Sequence, residues 1–85
     1  MSRIMSLETA CAEVAREVQR AEAKYPPFNS THEGYAVIAE ELDELWDAVK
    51  GNDRNQARHE AVHVAAMAVR FLRDIAEKGA AHEAP

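Results

Sequence analysis

Cysteine occurs once in this 85-residue chain, at position 11. A lone thiol cannot close an internal disulfide, so a disulfide-stapled scaffold is excluded and a reducing, cytoplasmic setting is expected. Glycine and proline occur three times each, and aromatic residues make up 6%. With Ala and Glu abundant, that scarcity describes a helical composition. No apolar run approaches the roughly 20 residues of a membrane span. The first residues lack the apolar core of a signal peptide, and neither end carries a lipidation motif. Positive charge is also short: 10 Lys+Arg stand against 15 Asp+Glu, a net charge of −5. That balance argues against a nucleic-acid polymer or a membrane surface as partner. Small phosphate-bearing ligands stay open, because a metal ion can mediate those contacts.

What is present is enough for one domain spanning residues 1–85. Hydrophobic residues make up 47% of the chain, a globular rather than a disordered proportion. A chain this short buries only about 60% of its unfolded surface, so its own core is marginal and an oligomer is expected.

Three helices are legible. The first runs from about 7 to 24, with Ser6 as N-cap and a stripe of Leu7, Cys11, Val14, Val18 and Ala21, which places Cys11 as a small core residue. Pro26 and Pro27 end it. The second, about 31–50, opens on a Ser30/Glu33 capping box and stops at Gly51, a natural left-handed residue. The third, about 54–78, opens at Asp53 with Gln56 in the matching box position. Gly79 is its expected stop, and residues 80–85 are expected to be a loose tail. The short link predicts an antiparallel hairpin of the second and third helices. The fold class is therefore all-α.

Acidic residues fall where apolar ones belong. At about 100° per residue, with Val37 at 0°, the residues Ile38, Leu42, Leu45 and Val49 lie between about 80° and 140°, the expected core stripe. Glu41 lies at about 40°, inside the apolar arc, with Glu44 and Glu40 at its edge. On the third helix Glu60 is flanked by Val64, Phe71 and Met67, and His63 shares the Met67 edge. Burying an unpaired carboxylate costs several kcal/mol. Two facing helices with that problem share a remedy in one divalent cation, and the i, i+3 spacings Glu41/Glu44 and Glu60/His63 let four side chains converge on it. Oxygen-rich ligation suits Mg²⁺ or Mn²⁺. The plainer alternatives are a solvated glutamate face and an ion pair between Glu60 and Arg70.

The stretch from His32 to Leu45 (HEGYAVIAEELDEL), followed by EAVHVAAMAVRF from Glu60 to Phe71, resembles the MazG-like all-α nucleoside triphosphate pyrophosphohydrolases. Their signature is EExxE on one helix and ExxD on the next. EExxE is here Glu40, Glu41 and Glu44; ExxD departs, with His63 in place of Asp. The resemblance covers about residues 24 to 74. It implies metal-assisted cleavage of a nucleoside triphosphate between its α- and β-phosphates, giving monophosphate and pyrophosphate. It implies Glu41, Glu44, Glu60 and His63 as metal ligands and Glu40 as general base. It further implies a three-helix subunit that completes a four-helix-type bundle as a homodimer or a tetramer. The loss of charge at His63 weakens a Mg²⁺ site, favours Mn²⁺, or marks a catalytically degenerate nucleotide-binding or structural module.

Four residues around the acidic pair are candidates for touching substrate. Lys24 and His32 could contact phosphate, Phe28 could stack on a base or cap the core, and Arg70 could pair with an acid or reach a phosphate. Trp46, on the rim of the apolar arc, reads as an oligomer contact. HExxH also occurs, as His59, Glu60 and His63. That zinc-peptidase pattern is a remote reading, because only the tail residues His82 or Glu83 offer a third ligand. Without Glu40, Glu41, Glu44 and Glu60, the remainder is nearly neutral, so most of the acidity belongs to one candidate site.

Overall fold

The computed structural model describes residues 4–82, with side chains described as far as Ile75. It consists of α1 (Leu7–Lys24), α2 (Thr31–Lys50) and α3 (Arg54–His82). No strand occurs among the described residues. The first two helices have the expected bounds. The third continues through Gly79 to His82. One glycine costs a helix only about 1 kcal/mol relative to Ala, and Ala80 and Ala81 follow it. Residues 83–85 of the expected tail lie outside the described residues.

The caps are local chemistry with two substitutions of partner. Ser6 and Ser30 accept from the backbone N–H of Thr9 and Glu33. The Glu33 carboxylate reaches back one residue further than a capping box requires and accepts from the Asn29 N–H at 2.6 Å. Asp53 Oδ1 caps α3 by accepting from the Gln56 N–H at 3.0 Å. The Gln56 side chain does not close that box and is committed elsewhere. Gly51 is not left-handed, with φ −81°; the turn places Asn52 there instead, at φ 56°. Asn tolerates that region through local side-chain hydrogen bonding.

The helix α3 is the hub. Twenty-nine residues give it a length of about 44 Å. Both α1 and α2 pack on it, and no Cα pair between α1 and α2 comes within 8 Å. The core joins Val18 and Ala21 of α1, Phe28 of the connecting loop, and Ala66 and Met67 of α3, with Val37, Ile38, Phe71 and Ile75 around them.

Each outer helix therefore has a single narrow contact face, and neither is centred on its most apolar stripe. On α2 the packed residues are Gly34, Val37, Glu41 and Ala48, with Ile38 and Leu45 at the margin. Leu42 and Val49, expected in the core, are about half exposed. Cys11 of α1 is likewise exposed rather than buried. Both helices are rotated toward their acidic flank.

Phe71 packs on Gly34 so closely that an added Cβ would lie 2.5 Å from its Cδ2 and 3.2 Å from the buried Phe28 ring. Gly34→Ala should therefore destabilise the fold. Overpacking of about 1–3 kcal/mol exceeds the gain of about 1 kcal/mol in helix propensity. A thermal melt should show a lower Tm; an unchanged or higher Tm would mean the two rings yield freely.

Candidate metal centre

Three side chains from α2 and α3 converge. One ligand atom each from Glu41, Glu60 and His63 lies within 4.8 Å of the others. The i, i+3 step puts Glu60 and His63 on one face of α3, and the rotation of α2 turns Glu41 toward them. His63 Nδ1 is 3.2 Å from Glu60 Oε1 and 3.4 Å from Glu41 Oε2. Glu60 is buried, and its other oxygen accepts from Gln56 Nε2 at 2.6 Å. The acid is thus held by Gln56 and His63, not by Arg70.

Glu41 is less well satisfied. Its Oε2 is buried and has no hydrogen-bond partner. Burial pushes its carboxyl above the ordinary carboxylate range, the charges of Glu44 and Glu60 push the same way, and His63 opposes them. An orphaned buried oxygen beside a second carboxylate and an imidazole is a donor set that suits a divalent cation. Glu41, Glu60 and His63 are the residues that would hold such a cation.

The helix α1 contributes a carboxylate that the sequence pattern placed off its apolar stripe. Glu17 Oε2 lies 3.7 Å from His63 Nε2, on the ring edge opposite the Nδ1 cluster. Arg20 grips Glu17 through two contacts, 2.9 Å from Nε and 2.5 Å from a terminal nitrogen. That hydrogen-bonded pairing holds the Glu17 carboxyl below the ordinary range. The signal for Glu17 was available: on the wheel it stands only about 40° from Ala21, the most buried residue of α1.

A cavity of about 400 Å³ opens between α1 and α2, over α3. Glu17, Arg20, Phe28, Glu40, Glu41, His63 and Arg70 are among its lining residues. The size is at the lower end of small-molecule sites. Glu40 is exposed and faces this space. Glu44 is exposed and does not join the three donors, although its charge reaches Glu41.

The other candidates have different surroundings. Lys24 lies with its Nζ over the Tyr25 ring at 5.4 Å, and His32 is exposed; neither lines the cavity. Phe28 is a core residue, 4% exposed, with the Arg70 guanidinium 4.5 Å above its ring. Arg70 is buried and donates to the Pro26 carbonyl at 3.0 Å, and one turn on Asp74 accepts the Phe28 N–H at 2.9 Å. The two residues pin the α1–α2 loop to α3. His59 is exposed; its ring meets that of His63 edge-on at 4.4 Å, and it is not among the three clustered donors. Trp46 is exposed, under Lys50 Nζ at 5.7 Å. No helix among the described residues is long and apolar enough to cross a membrane.

Comparison with known families, with characterised proteins and with solved structures gives no match to this chain. The functional reading accordingly stands on the residues themselves.

Proposed function

We propose that the chain is a metal-dependent nucleoside triphosphate pyrophosphohydrolase of the MazG-like type, acting in the cytoplasm as a homodimer or tetramer. The observation that carries this reading is the convergence of Glu41, Glu60 and His63, of which Glu41 and His63 line a ligand-sized cavity, with Glu41 Oε2 buried and without a hydrogen bond. Those three side chains would hold Mg²⁺ or Mn²⁺, and Glu44, outside the cluster, is close enough to add its charge. The cation, when bound, supplies neutralisation of phosphate oxygens and orientation of the attacking water. Glu40 is an exposed carboxylate on the same cavity wall, free to take the proton of that water as it attacks the α-phosphorus. Bond formation there releases pyrophosphate and leaves the monophosphate. Arg70 lines the same cavity, and its buried positive charge, although engaged with the Pro26 carbonyl, would favour a polyanion there. The oligomer is supported by an apolar stripe on α2, where Tyr35, Leu42, Trp46 and Val49 are all exposed.

A panel of common nucleoside and deoxynucleoside triphosphates, assayed for pyrophosphate with Mg²⁺ and Mn²⁺ side by side, tests the reading. Release of pyrophosphate and monophosphate in equal amounts is expected for at least one nucleotide; silence across the panel with both metals removes the proposal. One observation favours a second reading, binding without turnover. Glu44 stands outside the cluster and His63 brings no fixed charge, so the donors supply two carboxylates only. In that case His63→Asp should gain activity that the natural chain lacks.

A further inference from the structure

The two nitrogens of His63 face different partners. Nδ1 looks at Glu60 and Glu41, at 3.2 and 3.4 Å, while Nε2 looks at Glu17, at 3.7 Å. An imidazole that ligates a metal through one nitrogen carries its proton on the other, and that N–H is commonly fixed by a carboxylate. Glu17 is placed for that task and is itself held: Arg20 binds both of its oxygens, and its side chain is only 13% exposed.

We propose that Glu17 is a positioning residue for His63, accepting the Nε2 proton so that Nδ1 joins Glu41 and Glu60 as a metal ligand. The inference rests on the metal-binding reading above. It assigns the tautomer of the cation-bound site, with the proton on Nε2 and the lone pair on Nδ1, whereas the metal-free ring can donate Nδ1–H to Glu60. It also assigns the source of the missing charge. The site loses a carboxylate at position 63, and α1 returns one through the ring, so His63 and Glu17 together stand where a single acidic ligand would serve. The 3.7 Å separation is longer than a hydrogen bond and would close when Nδ1 gives up its contacts with the two carboxylates to a cation. A carboxylate behind the imidazole raises its basicity, and a nitrogen ligand with two oxygens favours a first-row transition dication over Mg²⁺.

The test is calorimetric titration of the metal-free protein with Mn²⁺ alone, for the natural chain, Glu17→Gln, His63→Asp and the double variant. Glu17→Gln should weaken Mn²⁺ binding by about 10–100-fold in the natural background. It should change nothing in the His63→Asp background, where no ring remains to be oriented. Equal weakening in both backgrounds would show Glu17 acting only as a distant charge or a structural prop, and would overturn the proposal. So would unaltered affinity of Glu17→Gln beside a natural chain that binds Mn²⁺. If the natural chain itself binds no Mn²⁺, the metal reading falls and takes this inference with it. His63→Asn is a second ring-free background should His63→Asp not fold, as circular dichroism will show.

Discussion

Glu60→Gln should weaken cation binding by about 100-fold or more and lower pyrophosphate release with it. Glu60 is the most buried of the three donors, and each of its oxygens has an assigned neighbour, Gln56 on one side and His63 on the other. The amide keeps the shape and removes the charge. It also turns one acceptor into an NH₂ that faces a second NH₂ from Gln56 or the cation itself. Loss of a ligand should cost at least as much as loss of a residue that supports one, on the order of 100-fold in Mn²⁺ affinity. Turnover should fall at least in proportion wherever metal is below saturation. Titration calorimetry and a pyrophosphate assay on the same preparation read both effects, with far-ultraviolet circular dichroism to confirm intact helices. Undiminished turnover with Mn²⁺ would remove Glu60 from the site.

Glu41→Gln should have opposite effects on function and on metal-free stability. Its carboxyl is pushed above the ordinary carboxylate range by burial and by the charges of Glu44 and Glu60, and its Oε2 is buried without a hydrogen bond. A group whose pKa is raised on folding contributes its full stability below its unfolded pKa, and that contribution is lost as pH rises through the folded value. At neutral pH the ionised Glu41 therefore weighs against the metal-free fold, and the neutral amide relieves it. Removing such a repulsion is worth about 0.5–2 kcal/mol, and 1 kcal/mol moves Tm by about 4–8 °C in a domain this small. The variant should melt higher than the natural chain at neutral pH without metal, and the gap should narrow as pH falls and the natural carboxyl takes its proton. Added Mn²⁺ should raise the Tm of the natural chain and leave that of the variant unmoved. A metal-free variant that melts lower at neutral pH would show Glu41 to be a structural asset in its own right.

The helices were legible because their signals are local. Ser6, Ser30 and Asp53 cap where side-chain chemistry requires, and the prolines end α1. The end of α3 was missed because a single Gly79 among alanines is a weak stop. Which face of each helix packs was harder. The wheel of α2 has its apolar centre near Leu42 and Val49, yet the chain packs it through Val37, Glu41 and Ala48. Periodicity reports which face is apolar. It does not report that α1 and α2 touch only α3, so that each has one narrow contact and leaves apolar residues outside. Glu41, Glu60 and His63 were legible as acids and a histidine on apolar arcs of consecutive helices. Glu44 shared their spacing and stayed out, exposed on the flank of a packed face that continues to the buried Ala48. Glu17 required the position of a third helix. For Phe28 and Arg70 the sequence left a core or ion-pair role open beside a ligand role; the bonds from Arg70 and Asp74 to residues 26 and 28 have no signature in spacing, because a loop's attachment is tertiary.

The hub arrangement divides the site along a seam. Every one of the three clustered donors sits on the α2–α3 hairpin, whereas Glu17 and Arg20 belong to a helix that touches only one neighbour. Partial opening of a small protein follows such lines, a weakly attached segment leaving while the rest stays folded. Release of α1 would strip away one wall of the cavity and the partner of His63 Nε2, while all three donors would stay on the hairpin. The donors themselves and the helix that orients one of them and walls the chamber are thus separate pieces of the chain, joined by a loop that Arg70 and Asp74 keep fastened to the stationary piece.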